Sequence, residues 1–449
     1  MSPEKTVTII GGGIAGLSSA VFLNELGFQV TLIEASPKLG GRAYSFFDKE
    51  RGMFFDNGQH ILAGWYKNTF EYLNIIGSYD LVNFQKGLEI NFIDTEKKVF
   101  KLSCPDIEPP MNLLQGLLKF KAFGLKDKFA LKNIKKLLND DNDLEDKFIN
   151  VKELLTGINQ TQKLIRYFWE PFVLAVFNTR LENISVKIFL NVLKTGFNSN
   201  SNSTLVIPKV NLNELLIDKA VEYFKKNNTE VLLNKRVDKI IMKEDATGDK
   251  IIDCVTMEDD SKIYSDYYIS AVPFFAFKKL FDDRVYYDNG FKSELLLPSG
   301  IVSIHLFFDE DISPDIIPEN SFGMTGLIGT VVQWIFKRSE RHLSLVISGA
   351  DDLQVMNMDA EEIYKLCINE LSSTITNFNK LKLSGYKVIK EKRATFIPDH
   401  KSQEFRQKHL TGYNNFFVAG DWTDTGLPAT IESAVKSARI CTQEILNYN

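Results

Sequence analysis

The sequence predicts an α/β protein of two domains, and three observations carry that prediction. Residues 7–34 pass from strand through glycine-rich turn and helix to a second strand and an acid. A second strand-to-helix unit, broken by Gly-Asp, closes the chain at 416–438. The length of 449 residues exceeds the ~150 of one ordinary domain. Hydrophobic residues at 44% and charged residues at 25% exclude a disordered or fibrous chain. A net charge of −5 supplies no basic field, so no nucleic acid is expected. Cys104, Cys254, Cys367 and Cys441 form no CxxC pair, so neither a metal site nor a disulfide scaffold is expected.

Val7-Thr8-Ile9-Ile10 is a β-branched run, as in a buried parallel strand. Gly11-Gly12-Gly13-Ile14-Ala15-Gly16 follows at once. Helical apolar spacing then runs from Leu17 to Leu26, and Gly27 ends it. Val30-Thr31-Leu32-Ile33 is the second strand, with Glu34 at its end and Ala35 beside it. In this setting GxGxxG is the fingerprint of a Rossmann-like dinucleotide site. Gly11 permits the tight turn, Gly13 admits a pyrophosphate to the backbone, and Gly16 lets helix and strand pack closely. Free N–H groups at the helix start, around Ile14 and Ala15, hold the phosphates. Glu34 stands where a carboxylate accepts ribose hydroxyls, which favours FAD or NAD over NADP.

Leu39-Gly40-Gly41-Arg42-Ala43 resembles the GG-R-x-S/A element of the flavin amine oxidase and phytoene desaturase superfamily. The resemblance implies FAD, with Arg42 at the pyrophosphate and the backbone at Gly40 and Gly41 close to the flavin. Phe416-Phe417-Val418-Ala419-Gly420-Asp421 reads as a strand ending in Gly-Asp. A helix is predicted over 428–438, with Pro428 near its start and Glu432 early. By the same resemblance, Gly420 and Asp421 meet the ribityl chain. Ala429, Thr430 and Ile431 then face the pyrimidine edge, where the helix dipole favours negative charge on reduced flavin. Glu432 reads equally well as a surface residue. The stretch 230–240 is strand-rich, and the residue matching Val237 meets the adenine end through its backbone. Residues 268–273 match the strand returning to the dinucleotide domain.

Phe55-Asp56-Asn57-Gly58-Gln59-His60-Ile61-Leu62 is the most specific stretch. Its D-N-G-Q-H form resembles the squalene-associated FAD-dependent desaturases, also called hydroxysqualene dehydroxylases. Trp169-Glu170-Pro171-Phe172 with Ala175 and Asn178-Thr179, Leu205-Val206-Ile207-Pro208, and 420–430 resemble further elements of that family. Ser433-Ala434 and Ser437-Ala438 depart slightly from its last helix. What this implies is a glutathione-reductase-like, discontinuous FAD-binding domain with an inserted α+β substrate domain. The implied reaction is reduction of the allylic C30 isoprenoid alcohol hydroxysqualene to squalene, for hopanoid or related lipid synthesis. The departing hydroxyl needs a general acid, and His60 is the candidate, with Asp56 to orient or charge it and Gly58 beside the flavin. The competing reading has Asp56, Asn57, Gln59 and His60 hold a turn together around Gly58. Three other functions share the fold: a carotenoid (phytoene-type) desaturase, a flavin amine oxidase, and a non-enzymic prenyl-binding escort. Glu34, Arg42 and Gly420-Asp421 argue against the escort. The reductant is not legible.

The FAD-binding domain is expected from 1–75, 205–290 and 395–449, and the substrate domain from 76–204 and 291–394. The polar stretch 199–203 marks one crossing. Residues 1–6 have no signal-peptide pattern, and no window holds the ~20 apolar residues of a spanning helix. A cytoplasmic protein is expected. Residues 111–138 interleave leucines and phenylalanines with seven lysines and one acid, ahead of an acidic run at 140–146. Such a segment suits an anionic membrane surface, here the inner face of the cytoplasmic membrane; the alternative is a solvated helix face. Of 34 phenylalanines, nine fall where a lipid site is expected: Phe120, Phe123, Phe129, Phe168, Phe172, Phe177, Phe274, Phe275 and Phe277.

Overall fold

The N-terminal β-branched run forms the strand Thr6–Ile10, at the centre of a five-stranded parallel sheet. The structure is a computed structural model and describes residues 5–137, 143–197, 199, 202–320 and 322–448. Leu138, Asp140 and Asp141 of the basic and acidic segments lie outside the described residues, as do Asn200 and Ser201 of the polar stretch. The sheet runs Glu230–Leu232, Gln29–Ile33, Thr6–Ile10, Tyr267–Ser270, Phe416–Val418. All four pairings are parallel, so the strands' C-terminal ends share one edge. Parallel strands covered on both faces must be apolar throughout, which is why these runs do not alternate.

The first helix is Ile14–Asn24, three residues earlier than the apolar spacing alone suggests. Its first turn is set by the glycine loop, and every residue from Ile14 to Leu23 is buried. The C-terminal helix runs Ile431–Asn447, beyond the predicted end. Thr430 caps it by accepting a hydrogen bond from Ser433 N at 3.1 Å. Val435, Ala438, Cys441 and Ile445 continue the buried stripe down its length. Both helices join the core beneath the parallel sheet.

A second sheet of seven strands carries the other part of the molecule. Its order is Leu383–Phe396, Pro298–Phe308, His342–Ser348, Trp334–Ser339, Met324–Ile328, Glu89–Asp94, Val99–Ser103. Only Met324–Ile328 and Glu89–Asp94 pair in parallel. Alternation sorts its faces. Trp334 and Phe336 join a core with the helices between 111 and 196, whereas Ile335 joins a core with the helix Ala360–Thr374. Between the sheets, the hairpin Ser45–Asp48/Met53–Asp56 and a small sheet of Leu62–Ala63, Leu205–Pro208 and Val82–Phe84 carry the chain across.

The basic segment forms helices Met111–Lys119 and Leu125–Ala130 and a 3-10 turn, Leu131–Leu137. Leu113, Leu117, Phe120, Phe123 and Leu137 are buried, whereas Met111, Leu118, Leu125 and Phe129 are exposed. Among the described residues no helix is long and apolar enough to cross a membrane.

Candidate cofactor and active site

The loops that leave the C-terminal ends of all five parallel strands line one cavity of about 920 Å³. They contribute Gly11 and Gly13, Glu34 and Ala35, Val237, Ala271, and Gly420 and Asp421. Ligands of open parallel sheets bind at this edge, since the strand ends leave the loops free there. Two glycines show why the turn needs no side chain. A Cβ on Gly16 would lie 1.8 Å from the Gly11 carbonyl oxygen, so that contact holds helix to turn. A Cβ on Gly13 would meet nothing closer than Gly41 Cα at 3.9 Å, so it would occupy cavity space. Ile14 and Ala15 line the cavity at the helix start.

Glu34 Oε2 accepts Gly12 N and its Oε1 accepts Ser36 N, each at 2.7 Å. A carboxylate offers about four acceptor sites, so two remain for a ligand. Arg42 reaches across the cavity, donating to Asp421 Oδ1 at 2.5 Å and to Ala394 O at 2.8 Å. Two segments 379 residues apart thereby meet. Buried Arg406 braces the loop after Gly420 by donating to the carbonyls of Trp422 and Thr423. Gly41, Gly58, Ala429, Thr430 and Ile431 line the same cavity.

His60 lines it too. Enclosure within the protein pushes its pKa below the ordinary imidazole value, while the Asp56 charge pulls the other way. Of the two roles expected of Asp56, to orient His60 or to charge it, the second has support. Asp56 does not line the cavity; its Oδ1 accepts Ser45 Oγ at 2.7 Å and Leu212 N at 3.1 Å. Its neighbour Asn57 donates to Arg42 O at 2.8 Å. The two side chains tie the turn to the hairpin and to the loop at 211–213, so Asp56 acts on His60 only through its charge. Among the proposed site residues, Gly16 and Asp56 alone stand back from the cavity.

Glu432 is not a surface residue. It is buried and accepts four hydrogen bonds from Asn68 and Thr69. Of the nine phenylalanines expected around a lipid site, Phe168, Phe172 and Phe275 line the cavity. Phe129 is exposed and the other five are buried in hydrophobic cores. The rest of the apolar wall comes from residues sequence reading passed over, among them Phe92, Met324, Trp334 and Phe336. All sit on the seven-stranded sheet, and the alternation at 334–336 was the available signal. Asn178, in the W-x-P…N-T stretch, ends the helix Glu170–Phe177 in the left-handed conformation. It binds Thr395 Oγ1 at 3.1 Å and Gly349 N at 2.8 Å, joining that helix to the sheet.

A parallel-sheet cradle with a glycine turn, a strand-end acid and an Arg-Asp bridge, opening into a large apolar chamber, defines an FAD-dependent oxidoreductase. The chain belongs to the flavin containing amine oxidoreductase family, whose model matches residues 14–446. Its curated relatives include the hydroxysqualene dehydroxylase of Zymomonas mobilis, 28% identical, with 98% of this chain and 99% of that one covered. A 15-cis-phytoene desaturase from an Oncidium hybrid is 25% identical, covering 99% of this chain and 78% of that protein. A crystal structure of an oxidoreductase from Methanosarcina mazei shares the fold, with a TM-score of 0.72 at 14% identity over 98% of this chain and 100% of that one. The residues present fit FAD: open backbone at Gly13, spare acceptor sites on Glu34, and a guanidinium at Arg42 for the phosphates.

Proposed function

We propose that the protein reduces hydroxysqualene to squalene. One observation carries the reading: a single cavity joins the dinucleotide cradle to a chamber walled by Phe92, Phe168, Phe172, Trp334 and Phe336, and the His60 turn lines it. The near full-length likeness to hydroxysqualene dehydroxylases supports it. FAD, once reduced, supplies a hydride. The allylic carbon loses its hydroxyl, which takes a proton and leaves as water; the carbon gains the hydride, so R–OH, H⁺ and H⁻ become R–H and H₂O. The chain's own work is to bind the cofactor, exclude water around the carbon, and deliver that proton from His60. Aromatic faces in the chamber stabilise the allylic cation. Residues 76–204 and 291–394 act as the substrate domain.

Reduced holoprotein given hydroxysqualene is expected to yield squalene by mass spectrometry. Dehydrogenation of phytoene, with hydroxysqualene left intact, would move the reading to the desaturases. His60→Ala is expected to lower turnover about 10²- to 10⁴-fold while keeping its flavin. Because burial depresses the His60 pKa, the acid form is scarce at neutral pH, and turnover of the native protein rises as pH falls from neutral, levelling off only below the ordinary imidazole value.

The substrate is insoluble in water, and the surface at 111–137 fits its source. Leu113 lines the cavity from the helix Met111–Lys119, whose Met111 and Leu118 face out. Leu125, 89% exposed, and Phe129, 68% exposed, stand beside exposed Lys121, Lys126 and Lys135. The protein works in the cytoplasm, docked by this surface on an anionic membrane. Changing those three lysines to Glu is expected to abolish co-sedimentation with anionic vesicles and leave turnover of detergent-dispersed substrate intact; unchanged co-sedimentation refutes the docking.

A further inference from the structure

A second, smaller cavity of about 90 Å³ lies behind the His60 turn, and the first cavity's function does not account for it. Gly58 and Gln59 line both cavities, so only that turn separates them. The small cavity is lined by His305, His342, Ser344 and Asp56, and reaches the surface side at Arg338, whose side chain is 30% exposed. His305 and His342 are 3% and 4% exposed, and their rings meet with Nδ1 of the first 3.0 Å from Nε2 of the second. Among the described residues no hydrogen bond is made by the outer nitrogen of either ring, His305 Nε2 or His342 Nδ1, nor by the Ser344 and Ser303 hydroxyls, although the Asp56 backbone stands close to the His305 ring. Ser303 Oγ lies 3.5 Å from where a Cβ on Gly58 would stand. Three of these atoms belong to residues that line the cavity, His305, His342 and Ser344, and call for water; 90 Å³ holds about three molecules at on the order of 30 Å³ each.

We infer that this water-filled pocket, with the His305–His342 pair, is a proton path from the surface at Arg338 to the His60 turn. The inference rests on the proposed reduction, which consumes one proton per turnover. An imidazole that accepts a proton on one nitrogen and releases one from the other passes it on with no change of charge and ends as the other tautomer. Burial helps: it pushes His305 down to about 4 and His342 to about 3, so both rings stay neutral and relay rather than store the proton. The charges facing the pair are Asp56, Arg338, Lys387 and Arg51. Of these, only Asp56 favours a proton, and it also draws one toward His60. On the remaining side the pair packs against Phe55 and Phe307, which offer no proton.

The isosteric pair Ser344→Val and Ser344→Thr tests this, because the two side chains share a shape and differ in the hydroxyl. Ser344→Val is expected to lose about tenfold in turnover, to show a larger solvent deuterium isotope effect, and to recover with added imidazole. Ser344→Thr is expected to match the native protein. Equal turnover and equal isotope effects in the two variants would overturn the path. A second readout needs no substrate. In the ¹⁵N-histidine-labelled holoprotein, both rings should be neutral from pH 5 to 8 and show exchange contacts with water. Dry rings overturn the path even if squalene forms, and wet rings with no squalene formed remove the proposed reduction alone.

Discussion

Gly13→Val yields a folded, colourless protein. The Cβ of a side chain there meets nothing closer than the Gly41 Cα at 3.9 Å, so the sheet and the first helix are expected to keep their packing. Its methyl groups instead enter the space above the helix start, where a pyrophosphate must touch the backbone. Phosphate contacts at a helix N-terminus cannot be replaced from elsewhere, so binding should fall at least 10²-fold. The measurement is the ratio of flavin to protein absorbance after purification with excess FAD, beside circular dichroism and thermal melting. Gly16→Val makes the contrast: its Cβ would lie 1.8 Å from a carbonyl oxygen, so both flavin and melting temperature are lost. Native flavin content in Gly13→Val would place the cofactor elsewhere.

The contrast shows which parts of the molecule a sequence makes legible. The glycine turn is readable because backbone geometry dictates residue type locally, within ten residues. The strands Thr6–Ile10 and Gln29–Ile33 are readable because burial on both faces leaves only apolar runs. The Arg42–Asp421 bridge is not readable, since nothing in either segment announces a partner 379 residues away. Asp56 shows the opposite case. A carboxylate four residues from a histidine suggests a direct contact, yet the strand ends at Asp56 and its side chain turns to Ser45 and Leu212, reaching His60 through its charge alone. The chamber wall was missed because Phe92, Trp334 and Phe336 are ordinary sheet residues in composition, and only topology brings them to one cavity.

Glu432→Ala is expected to cost about 2–4 kcal/mol of stability, a larger role than that of a helix-start signal. Its carboxylate sits where two helices begin. It is the second residue of Ile431–Asn447, and it accepts the backbone N–H groups of Asn68 and Thr69, in the first turn of Lys67–Ile76. Oε1 also accepts Asn68 Nδ2 and Oε2 accepts Thr69 Oγ1, each at 2.7 Å. Both helix dipoles favour the anion. Truncation leaves donors unmet at about 1–3 kcal/mol each, offset by entering water and by removal of a buried charge. Glu432→Gln should recover only part of the loss, because its amide turns an N–H toward donors that need an acceptor. Burial outweighs the four donors and raises the Glu432 pKa. With the folded value above the unfolded one, its contribution is fullest below the ordinary carboxyl pKa of about 4.3 and declines as pH rises toward the folded value. The native protein should therefore show a stability decrement over that window that Glu432→Gln lacks, read from urea midpoints at a series of pH values. Thr430 and Ile431, two and one residues before Glu432, line the cofactor cavity, so the Ala variant should also release FAD more readily. Unchanged urea midpoints in the Ala variant would mean that water replaces the carboxylate at no cost, and that the two helix starts are held by packing alone.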